Sequence, residues 1–307
     1  MSVSAITLRN DFCTAKVERL GAQIVSCTVN GRELLWQGAP GLWSEHAPVL
    51  FPICGALKDH RTTIAGKPFA IPKHGFACAA HFDVEDRSEH AVTLVLHETD
   101  ASRSMYPFRF TLRVTYTLLD QGYATRFSVE NNDTCVMPFC IGGHPAIALP
   151  LEDHAAFEDH MLVFPSAESC GIRRVCEGSL VDHTATPLPE LLHGRELPLD
   201  RRLFATFDTL LFAGLHSRSV QLLHPASGKH VSLAFPDMEV LAVWTMPDRN
   251  ASYVCLEPWH GLPDLVQSTG CFEDKPYATL LRPGECWQGA FTVSVTESCA
   301  DDSTFQR

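Results

Sequence analysis

Phe108-Arg109-Phe110-Thr111-Leu112-Arg113-Val114-Thr115-Tyr116-Thr117-Leu118-Leu119, then Asp120-Gln121-Gly122, then Tyr123-Ala124-Thr125-Arg126-Phe127-Ser128-Val129-Glu130, is the clearest hairpin in the chain. Its aromatic and β-branched residues favour a pleated surface, and a glycine-bearing turn joins the two runs. The same period of two recurs on both sides. Upstream, Ala91 to His97 is strand-like. Ala15 to Val29 alternates and leads into Asn30-Gly31, a strong hairpin signal, followed by Arg32 to Trp36. Glu45 to Gly55 is apolar but broken by Pro48 and Pro52, which predicts an inward-packing loop, not a central strand.

Downstream, Met137 to Ile141 is a short run that delivers Gly142-Gly143-His144-Pro145. Leu149 to Asp200 is rich in Pro, His and acids, and reads as long connections with one short strand around Met161 to Phe164. Strands resume at Leu210 to Leu215, Ser219 to His224, His230 to Phe235, Val240 to Trp244, Tyr253 to Leu256 and Gly289 to Glu297. No segment offers three turns of capped, amphipathic helix. Many short strands separated by turn signals imply an all-β fold, a large antiparallel β-sandwich. Residues 1–297 read as a single β-sandwich domain and 298–307 as a polar tail.

Composition narrows the partners. A net charge of −12 over 307 residues argues against nucleic acid and against anionic membrane surfaces. The 12 cysteines include no Cys-x-x-Cys pair, and several, such as Cys27, Cys140 and Cys255, sit in apolar runs as small core residues. No secretory signal and no membrane-spanning run is found, so the expectation is a cytoplasmic protein with reduced thiols. There is no His-x-His pair, no phosphate-cradling glycine loop and no Gly-x-Ser-x-Gly elbow, and no spacing suggests a metal.

Three stretches can carry chemistry. Cys255-Leu256-Glu257-Pro258-Trp259-His260-Gly261 places a carboxylate among apolar neighbours at the end of a strand. Packing that strips its hydration suits a group that takes and returns a proton near neutral pH. In Gly142-Gly143-His144-Pro145 the glycines allow close approach of a ligand and Pro145 stiffens the exit, giving His144 a defined direction. Pro72-Lys73-His74-Gly75-Phe76 holds a second imidazole beside glycine, and Asp208 lies at the edge of a strand. Each of these, taken singly, also fits an ordinary turn or strand end.

Taken in order, the blocks resemble the aldose 1-epimerases, the galactose mutarotase-like family, in its LacX-like branch. The resemblance runs from about Leu34 to Val295 through Glu33-Leu34-Leu35-Trp36 with Trp43, His46 to Gly55, Lys58-Asp59, His74-Gly75-Phe76-Ala77, Gly143-His144-Pro145, Asp208, Ser217 to Val220, and Glu257-Pro258-Trp259 with Gly261 and Asp264. It implies a large β-sandwich with a sugar cleft across one sheet, and interconversion of the α and β anomers of a free aldose with neither metal nor organic cofactor. It implies Glu257 as the base at the C1 hydroxyl and His144 as the acid at the ring oxygen. His74 and Asp208 would hold the sugar, with Trp244 and Trp259 as apolar walls. Two departures matter: Ala56 and Cys78 stand where the family usually has arginine, which removes bidentate donors and leaves Lys58 or Lys73 to compensate. A non-catalytic sugar-binding protein, and an epimerase acting on an unusual or phosphorylated sugar, remain the alternatives. The sequence does not fix the oligomeric state.

Overall fold

The computed structural model describes residues 5–39, 41–247 and 250–296. Its longest ladder is the hairpin Phe110–Leu119 with Gly122–Asn131, in unbroken antiparallel register down to Leu119 opposite Gly122. Along the first strand Leu112, Val114 and Tyr116 are buried while Arg113, Thr115 and Thr117 are partly exposed. A Cβ on Gly122 would lie 2.0 Å from the Val293 carbonyl oxygen of the next strand, so only glycine closes this turn against its neighbour.

The hairpin is the heart of a nine-stranded sheet. In spatial order the strands are Glu196–Pro198, Met161–Val163, Ser219–Leu223, His230–Ala234, Cys286–Thr296, Gly122–Asn131, Phe110–Leu119, Ala91–His97 and Asp83–Arg87. An eight-stranded sheet runs Val181–Thr186, Ile172–Val175, Leu210–Ala213, Val240–Trp244, Tyr253–His260, Ile141–Gly143 and Val49–Leu50, with Ala146–Ala148 also paired to Tyr253–His260. A four-stranded sheet from Ile6–Arg9 to Arg32–Glu33 and two small ribbons complete the fold. All ladders between these strands are antiparallel.

The two large sheets pack face to face. Phe164 meets Phe212 at 5.7 Å, His260 lies over Trp287 at 4.9 Å and Phe51 meets Phe110 at 5.1 Å between ring centroids. Each fully buried phenylalanine contributes about 1.5–3 kcal/mol through lost water contact. The antiparallel sandwich anticipated from the period of two is therefore the architecture. Two short helices, Asp100–Met105 and Arg201–Phe207, interrupt it, and neither is long enough to cross a membrane.

Some boundaries differ from the sequence reading. Leu149 to Asp200 holds three further strands, Ile172–Val175, Val181–Thr186 and Glu196–Pro198. They are edge or near-edge strands carrying Arg173, Arg174, Asp182, His183 and Thr184, and half-solvated edges lack the apolar signature. Ala15 to Val29 is two strands, Cys13–Val17 and Ile24–Val29, separated by a turn at Gly21 and Ala22 with positive φ. Asn30 and Gly31 form the expected tight turn, with φ of 49° and 80°. Glu45 to Gly55 is an inward-packed loop with only the Val49–Leu50 pair on the sheet edge. The 298–307 tail lies outside the described residues.

Candidate active site

Glu257 lies inside a strand, not at its end: Tyr253–His260 is continuous and wholly buried. Residues alternate faces along a strand, so Cys255, Glu257 and Trp259 share one face while His260 points into the core between the sheets, over Trp287. On one side Glu257 is paired with Ala242. On the other, Ile141 opposes His260 and Gly142 opposes Trp259, and after a three-residue break in the pairing Ala146 opposes Cys255 and Ile147 opposes Val254. The same register carried through the break sets His144 directly opposite Glu257. Leu256 N–H donates to the Pro145 carbonyl at 3.0 Å and holds the break in place. Cross-strand neighbours have Cβ atoms about 4.5–5.5 Å apart. That is how two residues distant in sequence become partners.

His144 Nε2 is 3.0 Å from Glu257 Oε2, and both residues are buried, 8% and 1% exposed. The contact is close but not aligned as a hydrogen bond, so Glu257 Oε2 has no hydrogen-bond partner among the described residues. His144 Nδ1 and the Trp259 indole N–H are likewise buried without partners. Unsatisfied buried polar atoms are costly, and a cluster of three at one place marks a site shaped for a ligand.

Glu257, His144 and Trp259 line a cavity of about 400 Å³, within the range of small-molecule sites. Small neighbours open its floor: Ala242 stands beside Glu257 and Gly142 beside Trp259. All six residues singled out from the sequence, Glu257, His144, His74, Asp208, Trp244 and Trp259, line it.

His74 has φ of 65° and is followed by Gly75 at 81°. Gly55 N–H donates to its Nδ1 at 3.2 Å, and its own N–H donates to the Gly55 carbonyl at 2.8 Å. Burial first, then His144 and Lys73, push its pKa well below the usual imidazole range. A neutral ring that accepts at Nδ1 carries its proton on Nε2, so His74 is a hydrogen-bond donor.

Asp208 does not sit on a strand edge. It follows the helix Arg201–Phe207 with φ 60° and ψ −70°, and Thr209 N–H donates to the Phe207 carbonyl at 2.7 Å. This is a γ-turn of the rare positive-φ kind, a strained backbone. The exposed carboxylate lies at the rim of the cavity.

Of the two positions without the family arginine, Cys78 lines the cavity whereas Ala56 is buried and does not. Lys73 reaches the cavity rim, its ammonium 3.5 Å from Ser179 Oγ. Lys58 does not line it and donates to the Val266 carbonyl at 3.1 Å.

The sequence reading missed several lining residues. Trp43 stacks on His144 with centroids 4.9 Å apart and meets Trp244 edge-on at 5.7 Å. Glu45 comes from the same loop, and Val175 and Ser179 come from the polar stretch after Leu149. Only Trp43 carried a signal, as an isolated tryptophan in a glycine- and proline-rich loop. The others are ordinary residues whose role comes from where the strands deliver them.

The chain and its fold have relatives among known proteins. A family model described as aldose 1-epimerase matches residues 4–294. Protein LacX (chromosomal) of Lactococcus lactis subsp. lactis is 34% identical over 299 residues, 94% of this chain and 99% of its own length. Two solved structures superpose with a TM-score of 0.88 at 29% identity. A galactose mutarotase related enzyme from Lactobacillus acidophilus covers 97% of this chain and 99% of its own, and a galactose mutarotase-like protein from Lactobacillus casei ATCC 334 covers 95% and 100%. The fold, the cavity and a match spanning almost every residue lead to one conclusion: the chain belongs to the aldose 1-epimerase family.

Proposed function

We propose that this protein is an isomerase that interconverts the α and β anomers of a free, neutral aldose. The observation that carries the reading is the buried couple His144–Glu257, 3.0 Å apart and lining a sugar-sized cavity. The two oxygens the reaction uses, the C1 hydroxyl and the ring oxygen, are bonded to the same carbon. The groups that serve them must therefore sit side by side, as these do.

Glu257 takes the proton of the C1 hydroxyl while His144 gives one to the ring oxygen. The bond between C1 and the ring oxygen breaks and the C1 carbonyl forms. Rotation about C1–C2 presents the other face, and the reverse proton transfers close the ring. A positioned acid or base contributes ~10²–10⁴-fold. His74, donating from Nε2, and Asp208 at the rim hold hydroxyls, and Trp244 and Trp259 supply apolar walls. Residue chemistry alone suffices for these steps.

The second reading is a sugar-binding protein without catalysis, favoured by Cys78 on the wall where an arginine is usual. A phosphorylated sugar is disfavoured, because Lys73 is the one Lys or Arg at the cavity among the described residues and Glu45 and Asp208 share the rim. A panel of sugars followed by NMR anomer exchange, with calorimetry alongside, separates these. Accelerated exchange supports the epimerase. Binding without acceleration supports the second reading, and neither overturns both.

A further inference from the structure

Cys255 has no part in the chemistry above, yet it lies two residues before Glu257 on the same strand face. Its Sγ, a ligand nitrogen of His144 and a carboxylate oxygen of Glu257 all lie within 4.8 Å of one another, and all three residues are buried. A tetrahedral zinc ion holds its nitrogen, oxygen and sulfur donors about 2.0–2.3 Å away, which sets donor–donor spacings of roughly 3.3–3.8 Å. The His144–Glu257 separation of 3.0 Å and the 4.8 Å upper limit bracket that spacing. Modest side-chain rotation brings the three donors onto one ion.

We propose that Cys255, His144 and Glu257 form a binding site for a thiophilic divalent cation of the zinc class, which occupies the proton-transfer couple and competes with sugar. The donor set selects the ion: thiolate with imidazole and carboxylate suits zinc or cobalt, not magnesium or calcium. The fourth position faces the cavity, where water or a sugar hydroxyl completes the tetrahedron.

The surroundings make this an inhibitory site, not a resident cofactor site. On binding, the ion displaces the thiol proton of Cys255 to solvent. A histidine that holds a resident metal normally anchors its other nitrogen on a carboxylate or carbonyl, and His144 Nδ1 has no such partner among the described residues. Missing support of that kind weakens binding about 10–100-fold, which suits a reversible inhibitor.

Binding does not depend on the epimerase reading, whereas the competition with sugar rests on it. The test has an arm for each. The protein, freed of metal, is titrated with Co²⁺ and the thiolate-to-cobalt charge-transfer absorption is recorded for wild type, Cys255→Ala and Cys255→Ser. The difference removes any signal from the exposed Cys135 and Cys286. Zn²⁺ affinity is then measured by competition, and the zinc-dependent rise in Tm by thermal melting. The proposal expects a cobalt–thiolate band in wild type only, a loss of zinc affinity of about 100-fold or more in both variants, and no zinc-dependent rise in their Tm. Identical cobalt spectra and zinc affinities in wild type and variants overturn it. In the activity arm, zinc raises the apparent KM of wild type while Cys255→Ala turns over normally and resists zinc. If wild type has no epimerase activity, that reading fails and the cobalt difference still decides the site.

Discussion

Gly142→Ala and Gly143→Ala make a matched pair that separates the site from the scaffold. A Cβ on Gly142 would lie 2.6 Å from Trp259 Cδ1 and 3.2 Å from the Pro258 carbonyl oxygen. A Cβ on Gly143 would lie 2.6 Å from Phe291 Cζ. The clashes are equal, but successive residues point to opposite faces, so the first strikes the cavity wall and the second the core between the sheets. To regain ordinary contact at 3.4–4 Å, the Trp259 ring must retreat by roughly 0.8–1.4 Å. Overpacking of this kind costs about 1–3 kcal/mol. At roughly 2 °C per kcal/mol for a chain of this length, each variant should lose about 2–6 °C in Tm. A displacement of about 1 Å beside reacting groups costs up to ~10² in rate. The assay is anomer exchange per folded molecule, with thermal melting in parallel. Gly142→Ala should lose far more rate than Gly143→Ala at similar Tm, and equal rates for the two would refute the reasoning.

Asp208→Gly should relieve a γ-turn strain of about 1–3 kcal/mol, partly offset by about 0.5–1 kcal/mol of glycine entropy, so Tm stays level or rises. Loss of a charged hydrogen-bond acceptor worth about 1.5–3 kcal/mol should raise KM roughly 10- to 150-fold, and a lowered Tm with unchanged KM would contradict this. Acid stability offers a separate check. His160 is buried; its Nε2 accepts from Leu151 N–H at 3.1 Å and its Nδ1 donates to the Ala156 carbonyl at 2.9 Å. Burial lowers its folded pKa beneath the unfolded value of about 6.5, so below that pH the unfolded chain binds the extra proton. Stability is complete above about pH 6.5 and is lost as pH falls toward the folded pKa, by up to ~1.4 kcal/mol per pH unit. His160→Gln should therefore show a shallower fall of Tm between pH 7 and 5 than wild type, and parallel curves would rule this out.

Strand type was legible in the sequence wherever one face is dry. Ala91–His97 and Val240–Trp244 begin and end where alternation and apolar content predict, and the Phe110–Asn131 hairpin starts two residues later and ends one residue later than its pattern predicts. It was illegible where strands are solvated, as in Ile172–Val175 and Val181–Thr186, because edge strands need no continuous apolar row. The cavity residues were legible as residue types, an acid among apolar neighbours and an imidazole between glycine and proline. Their adjacency was not. It depends on the register of Ile141–Ala148 against Tyr253–His260, a long-range pairing that local pattern does not encode. The same holds for Trp43, whose loop sets it over His144, and for Cys255, which reads as core until the nearness of His144 and Glu257 is known.

The most direct measurement follows freshly dissolved α-glucose and α-galactose by polarimetry with wild type, Glu257→Gln and His144→Ala, each at matched folded fraction. The account predicts acceleration by wild type and a loss of ~10²–10⁴-fold in each variant. Unchanged rates in both variants would contradict it.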